Sequence, residues 1–117
     1  MKNIIVEKSF EFAVEIALFA RELKKETLDY ELGSQLLRSG TSIGANISEA
    51  QQAQSRKDFI SKMSIALKEA YETEYWLKLL QRIDNKRKDR YPELIRRMEE
   101  IIRMLTSIIK TTKENNN

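Results

Sequence analysis

The chain has no cysteine and no histidine among its 117 residues. Without cysteine it forms no disulfides and offers no thiolate chemistry, which is typical of proteins from the reducing cytosol. We therefore expect a cytoplasmic protein. Without histidine it lacks the commonest general base and metal ligand, and a di-iron bundle built on Glu-x-x-His pairs is excluded. We expect no enzyme activity, no cofactor and no metal site.

Proline and glycine are scarce as well, with one proline and three glycines. An all-β fold with many turns needs more of both, so the composition indicates an all-α fold. No uncharged run approaches the roughly 18 residues of a membrane span, and acidic residues interrupt the apolar start of the chain. We therefore expect neither a signal peptide nor a membrane partner. The length and the absence of a linker predict one domain over residues 1–117.

Charged residues are abundant, at 33% of the chain, and their signs are unevenly distributed. Residues 1–77 carry 10 Lys+Arg and 12 Asp+Glu, for a net −2, whereas residues 78–117 carry 11 and 6, for a net +5. This asymmetry fits either attraction of nucleic acid or a surface that only confers solubility. The candidate phosphate-binding residues all lie in the basic part: Arg82, Lys86, Arg87, Lys88, Arg90, Arg96, Arg97 and Arg103.

Apolar residues recur at helical spacing in four segments of the chain. They predict helices at about residues 6–25, 31–54, 56–84 and 91–112, followed by a frayed tail at 113–117. Ser55, with Asp58 three residues later, matches a helix start. Short connections predict an antiparallel up-down-up-down four-helix bundle. Its single core is expected to bury Phe10, Ile43, Ile47, Phe59, Met63 and Leu77.

Two glycines, Gly40 and Gly44, fall inside the second predicted helix. Each costs about 1 kcal/mol relative to alanine in a helix interior, so their presence needs a reason. The preferred explanation is the close approach of a neighbouring backbone. A kink or loop over Ser39 to Gly44 is the alternative. A phosphate-binding loop would need a Gly-Lys-Ser/Thr sequence, which does not follow.

On the second predicted helix, polar residues border the apolar side that contains Gly40. The residues of this polar flank recur at helical spacing and are therefore neighbours on one side of the helix. Together with carboxylates of the third helix they predict a hydrogen-bonded network of Arg38, Ser42, Asn46, Glu49, Glu72 and Glu74. An ordinary solvated flank is the alternative. The carboxylates Glu49, Glu72 and Glu74 could also form a Mg²⁺ site, but helices alone rarely present oxygen ligands densely enough.

The third predicted helix is apolar on two opposite sides. One side belongs to the core, and the other carries Ile65, Trp76, Leu79 and Ile83. A monomeric four-helix bundle buries only one side of a helix, so the second stripe predicts an interface between copies of the chain. Coverage of the stripe by nearby lysine and arginine stems is the alternative.

A recognisable pattern is formed by Gln35-Leu-Leu-Arg38, Ser42-Ile-Gly-Ala-Asn-Ile-Ser-Glu49, Ser55-Arg-Lys-Asp-Phe59, Ile65-Ala66 and Glu72-Thr-Glu74. With this pattern the chain resembles the bacterial four helix bundle proteins first found encoded inside intervening sequences of 23S ribosomal RNA genes. It is also similar to the accessory proteins of diversity-generating retroelements. The resemblance extends over all four helices, and its specific motif is confined to about residues 35–80.

This resemblance implies a four-helix protomer assembled as a ring-like homopentamer, and it implies binding of RNA or DNA. The motif positions that carry over are Arg38, Ser42, Asn46, Glu49 and Glu72. Two functions stay open. One is a non-enzymatic homo-oligomer that binds nucleic acid through a basic surface on the third and fourth helices. The other is a structural or adaptor oligomer that binds a protein partner and has no nucleic-acid role.

Overall fold

A computed structural model describes residues 3–26 and 29–115, and these residues form four long helices. The helices are α1 at Ile4–Lys24, α2 at Tyr30–Ala50, α3 at Arg56–Ile83 and α4 at Tyr91–Glu114, with a 3-10 turn at Lys88–Arg90 just before α4. No strand occurs within the two described ranges. The all-α four-helix bundle predicted from the apolar periodicity is therefore confirmed.

Capping chemistry sets two of the helix starts. The Asn3 side chain caps α1 by accepting a hydrogen bond from the Val6 backbone N–H at 3.4 Å. Ser55 caps α3 in the same way, accepting from the Asp58 N–H at 3.0 Å. The Asp58 carboxylate in turn accepts from the Gln54 N–H at 3.1 Å. This reciprocal arrangement is close to a capping box, as the spacing of Ser55 and Asp58 predicted.

Two predicted boundaries are corrected by the structure. The helix α2 ends at Ala50 rather than near residue 54, because the chain must turn before it reaches the cap of α3. The helix α4 continues to Glu114, so the first two residues of the tail expected to fray are helical. Residues 116 and 117, which the same prediction included, lie outside the described residues.

The four helices share one apolar core, and most of the predicted core residues are in it. Fully buried members are Ile43, Ile47, Met63 and Leu77, whereas Phe59 packs only partly buried against the cluster. The prediction for Phe10 was wrong, because its side chain is 63% exposed. Two residues along a helix turn the side chain by about 200°, so burial of Phe12 directs Phe10 outward.

The glycines allow α1 and α2 to pack closely. A Cβ atom on Gly40 would lie 2.5 Å from Ile16 Cγ2, and one on Gly44 would lie 3.3 Å from the Ser9 carbonyl oxygen. The segment from Ser39 to Gly44 is regular helix without a positive φ. Close approach, and not a kink or loop, therefore explains these glycines.

Helices that follow one another in the chain also pack against one another, whereas α1 and α4 pack together less closely. Ion pairs cross the α1–α4 seam, from Lys8 to Glu100 at 3.3 Å and from Arg97 to Glu15. One side of each helix lies outside the shared core. The candidate functional residues lie on those outer sides and at the end of the bundle that carries the α3–α4 connection.

Candidate functional surfaces

The most tightly held of the predicted phosphate-binding cations is Arg87, which is not at the surface. Its side chain is 6% exposed and lies in the connection between α3 and α4. The guanidinium donates to Asp84 at 2.7 Å, to Asp29 at 3.1 Å and to Glu26 at 3.4 Å. A phosphate cannot reach a guanidinium that is already buried among carboxylates, so the assignment of Arg87 to a phosphate-binding surface was wrong.

The carboxylate of Asp84 is the centre of this buried cluster. It also accepts a hydrogen bond from the Tyr91 hydroxyl at 2.6 Å. Burial opposes ionisation of Asp84, but the hydrogen bonds from Tyr91 and Arg87 outweigh it and hold the pKa of this carboxyl below its usual range. The pKa of Tyr91 is raised, first by burial and then by its bond to Asp84. The cluster ties the α3–α4 connection to α1 and to the start of α2, which is a structural task.

Four other predicted cations are exposed to some degree but paired with carboxylates. Lys86 bonds Glu26 at 2.7 Å, Arg90 contacts Glu22 at 3.4 Å, Arg96 bonds its own helix neighbour Glu93 at 2.6 Å, and Arg97 pairs with Glu15. Arg82, Lys88 and Arg103 are exposed and form no ion pair with any residue that the structure describes. Of the eight predicted cations, only these three are exposed and without an ion pair among the described residues.

The predicted polar network is present only in part. Arg38 on α2 reaches α3, where it pairs with Glu72 and, at 3.3 Å, with Glu69. The Trp76 indole N–H donates to the same Glu72 at 3.1 Å. That bond, together with Arg38, holds the pKa of Glu72 below its usual range against the effect of burial. Arg38 itself is half exposed, so the contact is a surface bridge between helices.

The other members of the predicted network do not join it. Ser42 and Asn46 donate back to their own helix, to the carbonyls of Arg38 at 2.7 Å and of Ser42 at 2.8 Å. Glu49 is exposed and acts on Lys62, whose pKa is raised mainly by Asp58 and only slightly by Glu49. Short polar side chains on a helix can donate hydrogen bonds to backbone carbonyls of the preceding turn, and a helical-wheel projection does not reveal this.

The remaining carboxylate, Glu74, lies 3.6 Å from Lys78 on its own helix. The three acidic residues considered for Mg²⁺ therefore face different basic partners. No group of three or more potential metal ligands is present within residues 3–26 and 29–115. The buried polar contact between α2 and α3 is instead a hydrogen bond from the Thr73 hydroxyl to that of Ser39, at 2.9 Å. The polar flank gave no signal for this contact, because both residues lie on the core side.

The outer side of α3 carries the stripe predicted as an interface. Ile65 and Ile83 are 44% and 54% exposed, while Trp76 and Leu79 are partly buried. Beside them lie Tyr71 and Tyr75, which are 53% and 60% exposed and were not predicted as interface residues. We name the Tyr75 face by its exposed residues, Ile65, Lys68, Tyr71, Tyr75, Arg82 and Ile83.

A second exposed apolar surface lies along the seam of α1 and α2. Phe10, Val14 and Leu18 are 63%, 42% and 56% exposed, at successive turns of α1. Phe10 also lines a cavity of about 580 Å³ between α1 and α2, together with Val6, Glu7, Glu11, Gly44 and Ala45. We name this cavity, together with the ridge of Phe10, Val14 and Leu18, the Phe10 groove. The sequence pattern missed this surface because Phe10 had been placed in the core.

No helix within the described ranges is long and apolar enough to span a membrane.

Comparisons with known proteins point to one family. A family model described as 23S rRNA-intervening sequence protein matches residues 1–107. A solved structure from Bacteroides thetaiotaomicron VPI-5482, described as a protein with unknown function from the S23 ribosomal protein family, is 52% identical in sequence. The match covers 91% of this chain and 98% of that chain, with a TM-score of 0.86. No curated protein matches the sequence.

Proposed function

The chain belongs to the 23S rRNA-intervening sequence protein family, and from that premise we propose that it functions as a non-enzymatic homo-oligomer of four-helix bundles. The assembled form is the working form, and the resemblance drawn from the sequence favours a ring-like pentamer. The observation that carries the proposal is the exposure of large apolar side chains on two separate surfaces, the Phe10 groove and the Tyr75 face.

Exposure of this kind has a free-energy consequence. Burying one large apolar side chain stabilises a protein or complex by about 1.5–3 kcal/mol. The three α1 residues Phe10, Val14 and Leu18 therefore forgo several kcal/mol when they face water. Contiguous apolar patches of this kind mark interaction sites on soluble proteins. Association of copies removes both surfaces from water at once.

Alternation of helix direction is part of the same proposal. Along α1, the residues Ser9, Ile16 and Leu23 lie opposite Gly44, Gly40 and Gly33 of α2 in that order. Rising numbers on one helix thus meet falling numbers on the next. The ion pairs between α1 and α4, from Lys8 to Glu100 and from Glu15 to Arg97, follow the same order. These contacts support an antiparallel up-down-up-down bundle.

Light scattering tests the proposal directly. The unmodified protein is expected at several times the 13.8 kDa protomer mass. Phe10→Glu should lower that mass while circular dichroism still reports a helical protomer, since Phe10 is outside the core. Ser107→Glu, which adds the same charge on the exposed side of α4, is the matched control and should leave the mass unchanged. A monomer for the unmodified protein at micromolar concentration contradicts the proposal.

Binding of RNA or DNA is a second candidate function, and the observation that favours it is the set of unpaired cations. Of the three, Lys88 and Arg103 lie outside both apolar surfaces, they belong to the part of the chain with net charge +5, and an oligomer repeats them around its axis. Contacts from such cations to phosphates supply affinity that does not depend on sequence.

The salt dependence of binding tests this second function. If Lys88 and Arg103 of a protomer each neutralise one phosphate, log affinity falls with log salt at a slope of about −1.8 per protomer. The double variant Lys88→Glu and Arg103→Glu should weaken binding to all sequences alike. The double variant Lys25→Glu and Lys57→Glu, at two exposed positions in the acidic first part of the chain, makes the same charge change and is the control. An oligomer that never shifts labelled RNA or DNA at low salt indicates the adaptor function instead.

A further inference from the structure

We infer that the Phe10 groove of one copy receives the Tyr75 face of a second copy. The inference rests on the proposed homo-oligomer and adds which two surfaces meet. It follows from three properties of these surfaces: their apolar content, their charges and their positions on different helices.

The Phe10 groove combines an apolar ridge with acidic neighbours. Phe10, Val14 and Leu18 recur every four residues, so they form a continuous ridge along α1. Glu7 and Glu11 line the same cavity, and neither forms an ion pair within residues 3–26 and 29–115. Arg21 is also exposed on this ridge without an ion pair among the described residues, but it lies 11 residues beyond Phe10, roughly 16 Å along α1, so the cavity end of the groove is acidic. On the α2 side the wall is made of small side chains, which leave room for a helix from outside to approach.

The Tyr75 face has the matching composition. Its two tyrosines and two isoleucines are each at least 44% exposed, and they occupy an arc of roughly 120° on α3 at 100° per residue. Lys68 and Arg82 lie among them, are exposed and form no ion pair with any described residue. The one carboxylate within this arc, Glu72, is held by Arg38 and Trp76, and Lys68 acts on it without forming an ion pair. The unpaired charge of this face is therefore positive.

Complementarity selects a second copy as the occupant of the groove. Glu7 and Glu11, which form no ion pair among the described residues, lie beside the apolar ridge of the groove. Lys68 and Arg82, which also form none, lie among the tyrosines and isoleucines of the Tyr75 face. The two surfaces therefore carry opposite charges. If one cavity packed instead against another, the Glu7 and Glu11 carboxylates that line it would meet like charges, which is unfavourable. Two Tyr75 faces would meet in the same way through Lys68 and Arg82. The unlike pairing buries both apolar surfaces and leaves no like charges opposed.

This pairing has a topological consequence. Each copy carries one groove and one Tyr75 face, on different helices, so the contact is heterologous and every copy has two neighbours. Heterologous contacts close into a ring if the rotation between copies divides a full turn, and they give open filaments if it does not. Two-fold dimers with identical patches in contact are not expected.

A mixing experiment tests the inference. Phe10→Asp disables the groove of one variant, and Tyr75→Asp disables the α3 face of the other. Both side chains are exposed, so both variants should fold, as circular dichroism can verify. Each variant alone is expected to be monomeric by native mass spectrometry. Mixed at high concentration, they should form a dimer of twice the 13.8 kDa protomer mass that contains one copy of each variant.

The other outcomes overturn the inference in distinguishable ways. If Phe10→Asp is monomeric and Tyr75→Asp remains an oligomer, groove pairs with groove. If both variants remain oligomers, the contact lies elsewhere, although the proposed function stands. If both are monomers and the mixture is too, the two faces do not meet. A monomeric unmodified protein removes both the inference and the proposed function.

Charge reversal gives an independent readout that keeps the aromatic residues. Glu7→Lys with Glu11→Lys is expected to reduce the oligomer, and so is Lys68→Glu with Arg82→Glu. All four changes in one chain restore opposite charges across the contact, so the oligomer should return. Failure of this fourfold variant to recover assembly, when each double variant has lost it, would count against the pairing.

Discussion

Replacing Arg87 by alanine should be among the most damaging single substitutions in the chain. Arg87 is 6% exposed and the side chain of its closest partner Asp84 is 3% exposed. The alanine variant leaves Asp84 buried without its cation and leaves Asp29, 17% exposed, without a partner that the structure shows. The loss of one member from a buried ion pair costs about 3–5 kcal/mol, because the remaining charge is uncompensated.

The expected change in melting temperature follows from the size of the chain. An unfolding entropy of about 2.1 cal/mol/K per residue gives, for 117 residues, about 0.25 kcal/mol/K. A loss of 3–5 kcal/mol then lowers the melting temperature by about 12–20 °C. Thermal melts followed by circular dichroism, at one fixed protein concentration, measure this shift.

Two further variants sharpen the experiment. Arg96→Ala removes the same type of side chain from an exposed pair with Glu93 and should leave the melting temperature almost unchanged. Arg87→Lys keeps the charge but loses the guanidinium N–H donors that reach several carboxylates. Its melting temperature should therefore lie between those of Arg87→Ala and Arg96→Ala. Equal melting temperatures for Arg87→Ala and Arg96→Ala would refute the structural role of the cluster.

Three other predictions concern acid stability and packing. The folded-state pKa of Asp84 is depressed, so its contribution is complete above the unfolded-state value of about 3.9 and is lost as pH falls through the folded-state value; Asp84→Asn should flatten this part of an acid denaturation curve. Gly40→Ala should lower the melting temperature, since its Cβ would meet the buried Ile16 at 2.5 Å, whereas Gly33→Ala should lose less because the nearest atom there belongs to a flexible lysine. Thr73→Val should cost about 1 kcal/mol in the free energy of unfolding by chemical denaturation, because a buried serine hydroxyl loses its partner; no change would show that water or rotation compensates.

Much of the fold is determined by local sequence. The four helices follow from apolar residues spaced by 3.6, a property of each segment alone. The start of α3 follows from Ser55 and Asp58, which lie within one turn of each other. Close approach of a neighbouring helix was also predictable, since Gly40 and Gly44 have no other use in regular helix. None of these features depends on which distant part of the chain packs nearby.

The tertiary structure alone decided which apolar stripe of α1 enters the core. Apolar residues occur on both the Phe10 side and the Phe12 side of α1, and a helical wheel does not say where α2 lies. The close seam between Gly40 and Ile16 sets that position. It places Phe12 in the core and leaves Phe10 at the surface. The candidate interaction surface on α1 is therefore a result of packing that the periodicity could not supply.

The tertiary structure also decided which charged side chain of the α3–α4 connection is buried. Arg87 stands in the segment Asn85-Lys-Arg-Lys-Asp-Arg90, whose composition predicts a solvated connection. Its partners Glu26 and Asp29 are 61 and 58 residues away in the chain. Local composition reports only the average preference of a segment for water. Burial of one arginine among its exposed neighbours required the α3–α4 connection to fold against the end of α1 and the start of α2, where carboxylates could compensate the lost hydration.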